Sequence, residues 1–187
     1  MKSIVVRYRR YSENCSSRLI LQNTSLVYCL KNYIRKEQLR SKDKFLCENC
    51  NCLQEAEKQV KLITLPKILI IQLKRFKMTN NCQFEKLCGL VNIPEEINLE
   101  FLIREKDILP EKTYNYCLRS IVIHVGSRSE YGHYFTLVKS DNNKWIIYND
   151  EKVQELEDPL NIYFGNPDEN CVHRSSQCSY LLFYEEI

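Results

Sequence analysis

Tyr131-Gly132-His133-Tyr134-Phe135-Thr136-Leu137-Val138-Lys139-Ser140-Asp141-Asn142-Asn143-Lys144-Trp145-Ile146-Ile147-Tyr148-Asn149-Asp150 is the stretch whose reading decides the fold. Residues 134–139 and 145–148 are rich in aromatic and β-branched side chains, and the polar run Ser140-Asp141-Asn142-Asn143 separates them. That pattern predicts an antiparallel β-hairpin. A hairpin brings the start of its first strand beside the end of its second. If Lys139 pairs with Lys144, His133 pairs with Asp150. With a turn one residue longer or shorter His133 faces Asn149 instead, because a one-residue slip moves a side chain to the other face. In either register an imidazole meets an amide or carboxylate able to accept its Nδ1 proton. A general base stands in this relation to its orienting partner in thiol and serine hydrolases. Gly132, directly before the histidine, leaves the backbone room for something to approach the imidazole.

Outward from the hairpin, three further stretches carry information. Cys47-Glu48-Asn49-Cys50 has the spacing of a zinc knuckle, in which two thiolates from one turn bind one edge of a tetrahedron. Leu65-Pro66-Lys67-Ile68-Leu69-Ile70-Ile71-Gln72-Leu73-Lys74-Arg75-Phe76 predicts a strand buried on both faces, with Pro66 at its start. Lys74 and Arg75 break its apolar run and read as a solvated strand end. Ser179-Tyr180-Leu181-Leu182-Phe183-Tyr184 predicts a closing strand. With Gly132-His133-Tyr134, Trp145 and Tyr148-Asn149-Asp150, these motifs resemble, in the same order, those of the ubiquitin-specific proteases. These are thiol-dependent deubiquitinases with a papain-like catalytic core. The resemblance runs from about residue 23 to residue 185. Gln22-Asn23-Thr24-Ser25 followed by Cys29-Leu30, and Leu137-Val138-Lys139-Ser140, are most similar to the small members activated by WD-repeat proteins.

The resemblance implies an α+β chain of the papain-like cysteine protease superfold, mostly antiparallel β with few helices. It implies one partial catalytic domain. Residues 1–66 form the fingers and a connecting helix, residues 67–187 form the palm with the histidine box, and the amino-terminal thumb lobe is missing. The implied reaction is hydrolysis of the isopeptide or peptide bond after the carboxy-terminal glycine of ubiquitin. His133 deprotonates the cysteine nucleophile and then protonates the leaving amine. Asn149 matches the family's third residue and orients His133, and Asp150 is an auxiliary polar group. For Asn149 to lie nearest His133, the hairpin turn must be of odd length or carry a bulge. Tyr131, Gly132 and Tyr134 border the channel for the ubiquitin tail. Catalysis uses no cofactor, and Cys47 and Cys50 supply half of a four-thiolate structural zinc site. The implied partners are ubiquitin, ubiquitinated proteins and a WD-repeat activator, in the cytoplasm, the nucleus or both.

The chain departs from the family at the nucleophile. Asn14-Cys15, with Leu21-Gln22 following, echoes the nucleophile box. The preceding Gly-Asn-Thr is absent, position 18 is Arg where the family has Asn, and the box belongs far upstream of the fingers. The expectation is a chain that carries the His/Asn half of the chemistry without a recognisable nucleophile and is inactive alone. A second reading from another class is a non-catalytic ubiquitin-binding or scaffold module. A cysteine box upstream in the same gene would decide for the enzyme.

Composition sets the remaining bounds. With 187 residues and 44% hydrophobic content, the chain can bury one sizeable core. Four Gly and five Pro are too few for a disordered protein. The net charge of +3 is weak, and no basic-aromatic stripe accompanies it, which argues against a nucleic-acid partner. No apolar run reaches membrane-spanning length. Ile4-Val5-Val6 is too short for a signal peptide and is followed at once by Arg7, Arg9 and Arg10. The ten cysteines therefore read as reduced thiols of an intracellular protein.

Other segments carry local expectations. Strands are expected near residues 3–8 and 18–22. A helix is expected over residues 25–35, capped by Asn23 or Thr24, with Leu26, Cys29, Leu30, Tyr33 and Ile34 on its apolar face. Residues 53–65 contain good helix formers, while the resemblance makes them a long strand returning from the fingers. Residues 84–97 read as strand, turn and strand about Pro94, and 100–112 as a charged surface loop. In a strand at 114–125, Ile121, Ile123 and Val125 share one face and Val122 and His124 the other, with His124 a packed core histidine. Residues 126–132 read as a mobile loop. A short strand at 153–156 and a brief helix at 159–164, capped by Asp158, precede a polar loop with a solvated His173.

Overall fold

A computed structural model describes residues 2–7, 24–78, 84–128, 131–157 and 177–187. In chain order the strands are β1 (Lys2–Arg7), β2 (Thr24–Ser25), β3 (Glu37–Leu39), β4 (Phe45–Cys47), β5 (Cys52–Gln54), β6 (Ala56–Lys58), β7 (Ile68–Lys74), β8 (Phe76–Met78), β9 (Phe84–Lys86), β10 (Val91–Asn92), β11 (Glu96–Asn98), β12 (Asn115–Val125), β13 (His133–Lys139), β14 (Trp145–Asn149), β15 (Lys152–Leu156) and β16 (Gln177–Glu186). Among the described residues there is one α-helix, α1 (Leu26–Tyr33). The Asn14-Cys15 echo of the nucleophile box, the strand expected at 18–22, the helix expected at 159–164 and His173 lie outside the described residues.

The main sheet has the order β1-β7-β16-β12-β13-β14-β15, with β11 also paired to β12. Only β1 on β7 is parallel within it. This is the expected α+β architecture, mostly antiparallel with little helix. β12 is its longest strand and carries Leu118, Ile121 and Ile123 into the core. Two buried tyrosines tie the sheet to the chain around it. The Tyr116 hydroxyl donates to Pro66 O at 2.6 Å, and the Tyr184 hydroxyl donates to Pro94 O at 2.6 Å. Burial of these phenols disfavours their charged forms and raises both pKa values, that of Tyr116 to about 12.

β7 differs from the expected two-sided burial. Leu69, Ile71 and Leu73 are buried, Ile70 and Gln72 are half-buried, and Ile68 is exposed. The apolar run is thus continuous in sequence, while full burial alternates along the strand. Arg75 corrects the sequence reading more sharply. It is 4% exposed, not a solvated strand end. Its Nε donates to Ser179 O (2.9 Å), Nη2 to Ser179 Oγ (2.9 Å), and Nη1 to Gly89 O (2.6 Å) and Leu87 O (3.3 Å). Leu87 N in turn donates to Arg75 O at 2.6 Å. The guanidinium fork thus fastens the break between β7 and β8 to β16 and to the loop after β9.

α1 begins at Ser25, whose hydroxyl accepts from Tyr28 N at 3.2 Å; the cap is Ser25, not Asn23 or Thr24. Leu26, Cys29 and Leu30 are buried in the common core, as the spacing predicts, and the helix ends at Tyr33. Beyond it, where the fingers are expected, the chain forms two short ribbons, β3 with β6 and β4 with β5. The returning strand is not continuous. It breaks at Glu55 and ends at Lys58, after which Leu62 makes an isolated bridge to Ile103. The reason lies in the residues: Glu55, Glu57, Lys58 and Gln59 are exposed, so no apolar alternation anchors one long register. Surface pairs such as Lys36–Glu57 (3.2 Å) add little, given the weakness of exposed ion pairs.

Candidate functional site

The site grows from the β13–β14 hairpin. Lys139 pairs with Trp145 and Thr136 with Tyr148. The turn therefore spans residues 140–144 and is of odd length. It closes through Ser140 N to Lys144 O (2.8 Å) and Asn143 N to Ser140 O (3.0 Å), with Asn143 at φ 63°. Asparagine tolerates this left-handed conformation because its short polar side chain can hydrogen-bond locally. Carried on in the same register, Asn149 falls opposite Phe135. His133 is then its diagonal neighbour on the same face, and Asp150 falls on the other face.

The side chains follow that parity. Asn149 Oδ1 is hydrogen-bonded to His133 Nε2. Asp150 turns away: its carboxylate is 3.9 Å from the same nitrogen and its side chain is 78% exposed. Asp150 sits at φ 51°, at the start of the two-residue link to β15, where Asn149 pairs with Lys152. The ring nitrogen differs from the expectation of Nδ1. The imidazole presents Nε2, the nitrogen farther from Cβ, to Asn149. An amide oxygen only accepts, so Nε2 carries the proton and Nδ1 is the basic atom.

Gly132 is required for a reason opposite to the expected one. The space a Cβ would occupy is already filled by His124 Nε2 and by Val125 O, the latter 2.5 Å away. The group that approaches is the chain's own β12. Tyr131 is 72% exposed, and Tyr134 is half-exposed with its ring 4.8 Å from that of His124. His133, Asn149, Tyr131, Gly132 and Tyr134 are thus brought together at one end of the β12–β13–β14 segment, with Asp150 at its margin.

Sequence reasoning left two participants out of the site. His124 is the packed core histidine that the alternation predicts, and it also touches Gly132, the residue that carries His133. Lys86 left no local signal at all: its ammonium reaches His124 Nδ1 (2.7 Å) across 38 residues of chain. The one available clue was the pair Gly126 and Gly132 framing the loop, since Gly126 has φ 125° and packs against Gly132 Cα.

The cysteine turn lies at the tip of the β4–β5 ribbon, with Cys50 exposed and Cys47 half-buried. Cys47 pairs with Cys52 in the β4–β5 ladder. Cys50 Sγ, however, lies 3.1 Å from Cys52 Sγ, and the Gln54 amide donates to Cys52 Sγ at 3.0 Å. Hydrogen bonds from Cys50 and Gln54 hold the Cys52 thiol below its ordinary value. Among the described residues, no three His, Cys, Asp or Glu side chains form a group that could hold a metal ion. The described donors therefore do not complete a four-ligand zinc site by themselves. No helix among the described residues is long and apolar enough to cross a membrane.

Comparison with known proteins shows the family. The profile of the ubiquitin carboxyl-terminal hydrolase family matches residues 12–184. Ubiquitin carboxyl-terminal hydrolase 4 of Arabidopsis thaliana is 39% identical over 171 residues, covering 90% of this chain and 44% of the plant protein. Ubiquitin carboxyl-terminal hydrolase creB of Emericella nidulans is 34% identical over 167 residues, covering 88% of this chain and 21% of the fungal one. The SAGA DUB module of Ubp8, Sgf11, Sus1 and Sgf73 bound to ubiquitin aldehyde superposes with a TM-score of 0.69 at 26% identity, over 99% of this chain and 36% of that one. The chain thus spans less than half the length of these relatives. Profile, relatives and fold agree: the chain belongs to the ubiquitin carboxyl-terminal hydrolase family, as a member of its ubiquitin-specific protease branch.

Proposed function

We propose that this chain forms the palm and fingers of a thiol-dependent deubiquitinase and supplies its general base. The observation that carries the reading is the His133–Asn149 pair, set on one face by an odd-length turn. His133 Nδ1 takes the proton of a cysteine thiol. The thiolate attacks the carbonyl carbon after the ubiquitin carboxy-terminal glycine, and the imidazolium gives its proton to the leaving amine. Water then hydrolyses the thioester by the same proton route. Asn149 holds the ring through Nε2–H. An amide stabilises the imidazolium less than a carboxylate does. Tyr131 and Tyr134 border the path of the ubiquitin tail.

Partners and setting belong to the same proposal. Ubiquitin is the substrate group, supported by the similarity to a DUB module solved with ubiquitin aldehyde. A WD-repeat activator is assigned to the fingers, where Phe45, Leu46 and Leu53 are exposed. Reduced thiols support a cytoplasmic or nuclear setting, and the described cysteines are free.

The test is a chimera in which residues 24–187 replace the matching region of the plant relative. It is expected to release a fluorophore from the ubiquitin carboxy terminus; no release from a folded chimera overturns the reading. The chain by itself is expected to be inactive. Among the described residues no thiol is hydrogen-bonded to His133, and covalent catalysis needs one within such reach. Treatment with ubiquitin bearing a thiol-reactive carboxy terminus should leave it unlabelled. Labelling that disappears in His133→Ala would show that a cysteine of this chain is the nucleophile.

For the finger tip we propose weak zinc binding by Cys47 and Cys50. Two thiolates leave half the coordination sphere to water or to another molecule. Elemental analysis of purified chain is expected to find less than one zinc per molecule, lost on brief treatment with chelator. Stoichiometric, chelator-resistant zinc would require further ligands.

A further inference from the structure

His124 is 1% exposed and is enclosed by the rings of Phe76, Tyr134 and Tyr180, with centroids at 5.6, 4.8 and 6.4 Å. A buried imidazole needs its polar edges met. Lys86, the last residue of β9, meets one of them. Its Nζ lies 2.7 Å from His124 Nδ1, 3.2 Å from His124 O and 2.6 Å from Gly126 O. An ammonium has three donors and no acceptor, so Nδ1 must be the acceptor and the neutral ring carries its proton on Nε2. The desolvation of burial, with the neighbouring ammonium second, pushes the His124 pKa down and keeps the ring in this neutral state.

The opposite edge of the ring does geometric work. His124 Nε2 occupies the volume beside Gly132 that any Cβ would need. Gly126, whose carbonyl the ammonium holds, would with a Cβ come within 3.1 Å of both Gly132 Cα and Tyr131 O. Val125 and His133 are the last pair of the β12–β13 ladder, so these contacts close the hairpin just where His133 leaves it. His133 depends on this neck for its place, because its side chain is partly exposed and its own ladder contacts stop there.

We propose that Lys86 and His124 are positioning residues for His133: the ammonium fixes the end of β12, and the imidazole wedged against Gly132 sets the backbone from which His133 meets Asn149. The proposal rests on His133 as the base of the proposed deubiquitinase. Neither residue touches the reacting atoms. The pair acts through backbone placement, so it governs which ring nitrogen of His133 is protonated and how firmly the ring is held.

The experiment is long-range ¹H–¹⁵N correlation of the histidine rings in the full chain, in wild type, Lys86→Met, Lys86→Gln and Lys86→Arg. In wild type, His133 is expected to show one dominant tautomer, protonated on Nε2. In Lys86→Met the population of the other tautomer is expected to rise about threefold or more, with Lys86→Gln between and Lys86→Arg near wild type, since tautomer choice follows the partner of the second nitrogen. The backbone amide spectrum away from residues 84–87 and 124–134 should stay unchanged. Coincident His133 signals in wild type and a folded Lys86→Met overturn the proposal. Loss of fold in both neutral variants overturns it too, because the pair would then hold the whole sheet together and not His133. The readout is the ring state, not hydrolysis. A chimera that fails to cleave ubiquitin leaves this result standing, and an unchanged ring state leaves the deubiquitinase reading standing.

Discussion

In the active chimera, His133→Ala is expected to lower kcat/KM by roughly 10²- to 10⁴-fold, the range ascribed to a positioned general acid–base group. Loss of the imidazole removes both the proton acceptor for the thiol and the donor for the leaving amine. Asn149→Ala is expected to cost about 10-fold, because the base remains and only its orientation is lost. Asn149→Asp should retain or raise activity, since a carboxylate stabilises the imidazolium better than an amide. Asp150→Asn should stay within about twofold, because an exposed carboxylate at 3.9 Å contributes little and asparagine keeps the left-handed turn. Steady-state hydrolysis of a ubiquitin carboxy-terminal fluorophore measures all four. A large loss for Asp150→Asn with none for Asn149→Ala would move the orienting role to Asp150.

Arg75→Met is expected to be the most destabilising of the substitutions considered. It removes the donors to Ser179 O, Ser179 Oγ, Gly89 O and Leu87 O and leaves the first three of these acceptors buried without them. Each unmet buried acceptor costs about 1–3 kcal/mol. Partial relaxation makes roughly 3–5 kcal/mol a reasonable total, a large share of the 5–15 kcal/mol typical of a domain. In a chain of this length that corresponds to a fall in Tm on the order of 10 °C. Arg75→Lys should recover less than half of the loss, because an ammonium cannot reproduce the planar fork. Lys77→Ala, at an exposed position of β8, is the control and should stay within about 0.5 kcal/mol. Urea unfolding followed by tryptophan fluorescence reports the changes through Trp145, which is buried in the core. An Arg75→Met variant as stable as the control would return Arg75 to the solvated strand end that its charge suggests.

The sequence by itself determined the parts whose cause is local. Aromatic and β-branched alternation on either side of Ser140-Asp141-Asn142-Asn143 specified the hairpin. Hairpin geometry alone brought His133 to Asn149 or Asp150, and the order of four motifs specified the family. The α1 face of Leu26, Cys29 and Leu30 was legible for the same reason, since a period of 3.6 is written in consecutive residues. The choice between Asn149 and Asp150 belonged to the tertiary structure. Turn length fixes the parity of the ladder, and Asp150 took the left-handed corner leading into β15. Arg75 and Lys86 were misread or unseen because their partners lie far along the chain: Ser179 is 104 residues from Arg75, and His124 is 38 from Lys86. Charged residues at strand ends read as solvated from sequence, because most of them are. Only the order of strands in the sheet, which sets β16 beside both β7 and β12, shows which of them are enclosed by backbone carbonyls and must be paired. The same holds at Gly132. Its lack of a side chain was plain in the sequence, but the group that needs the space, a histidine on the neighbouring strand, became visible only once β12 and β13 were paired.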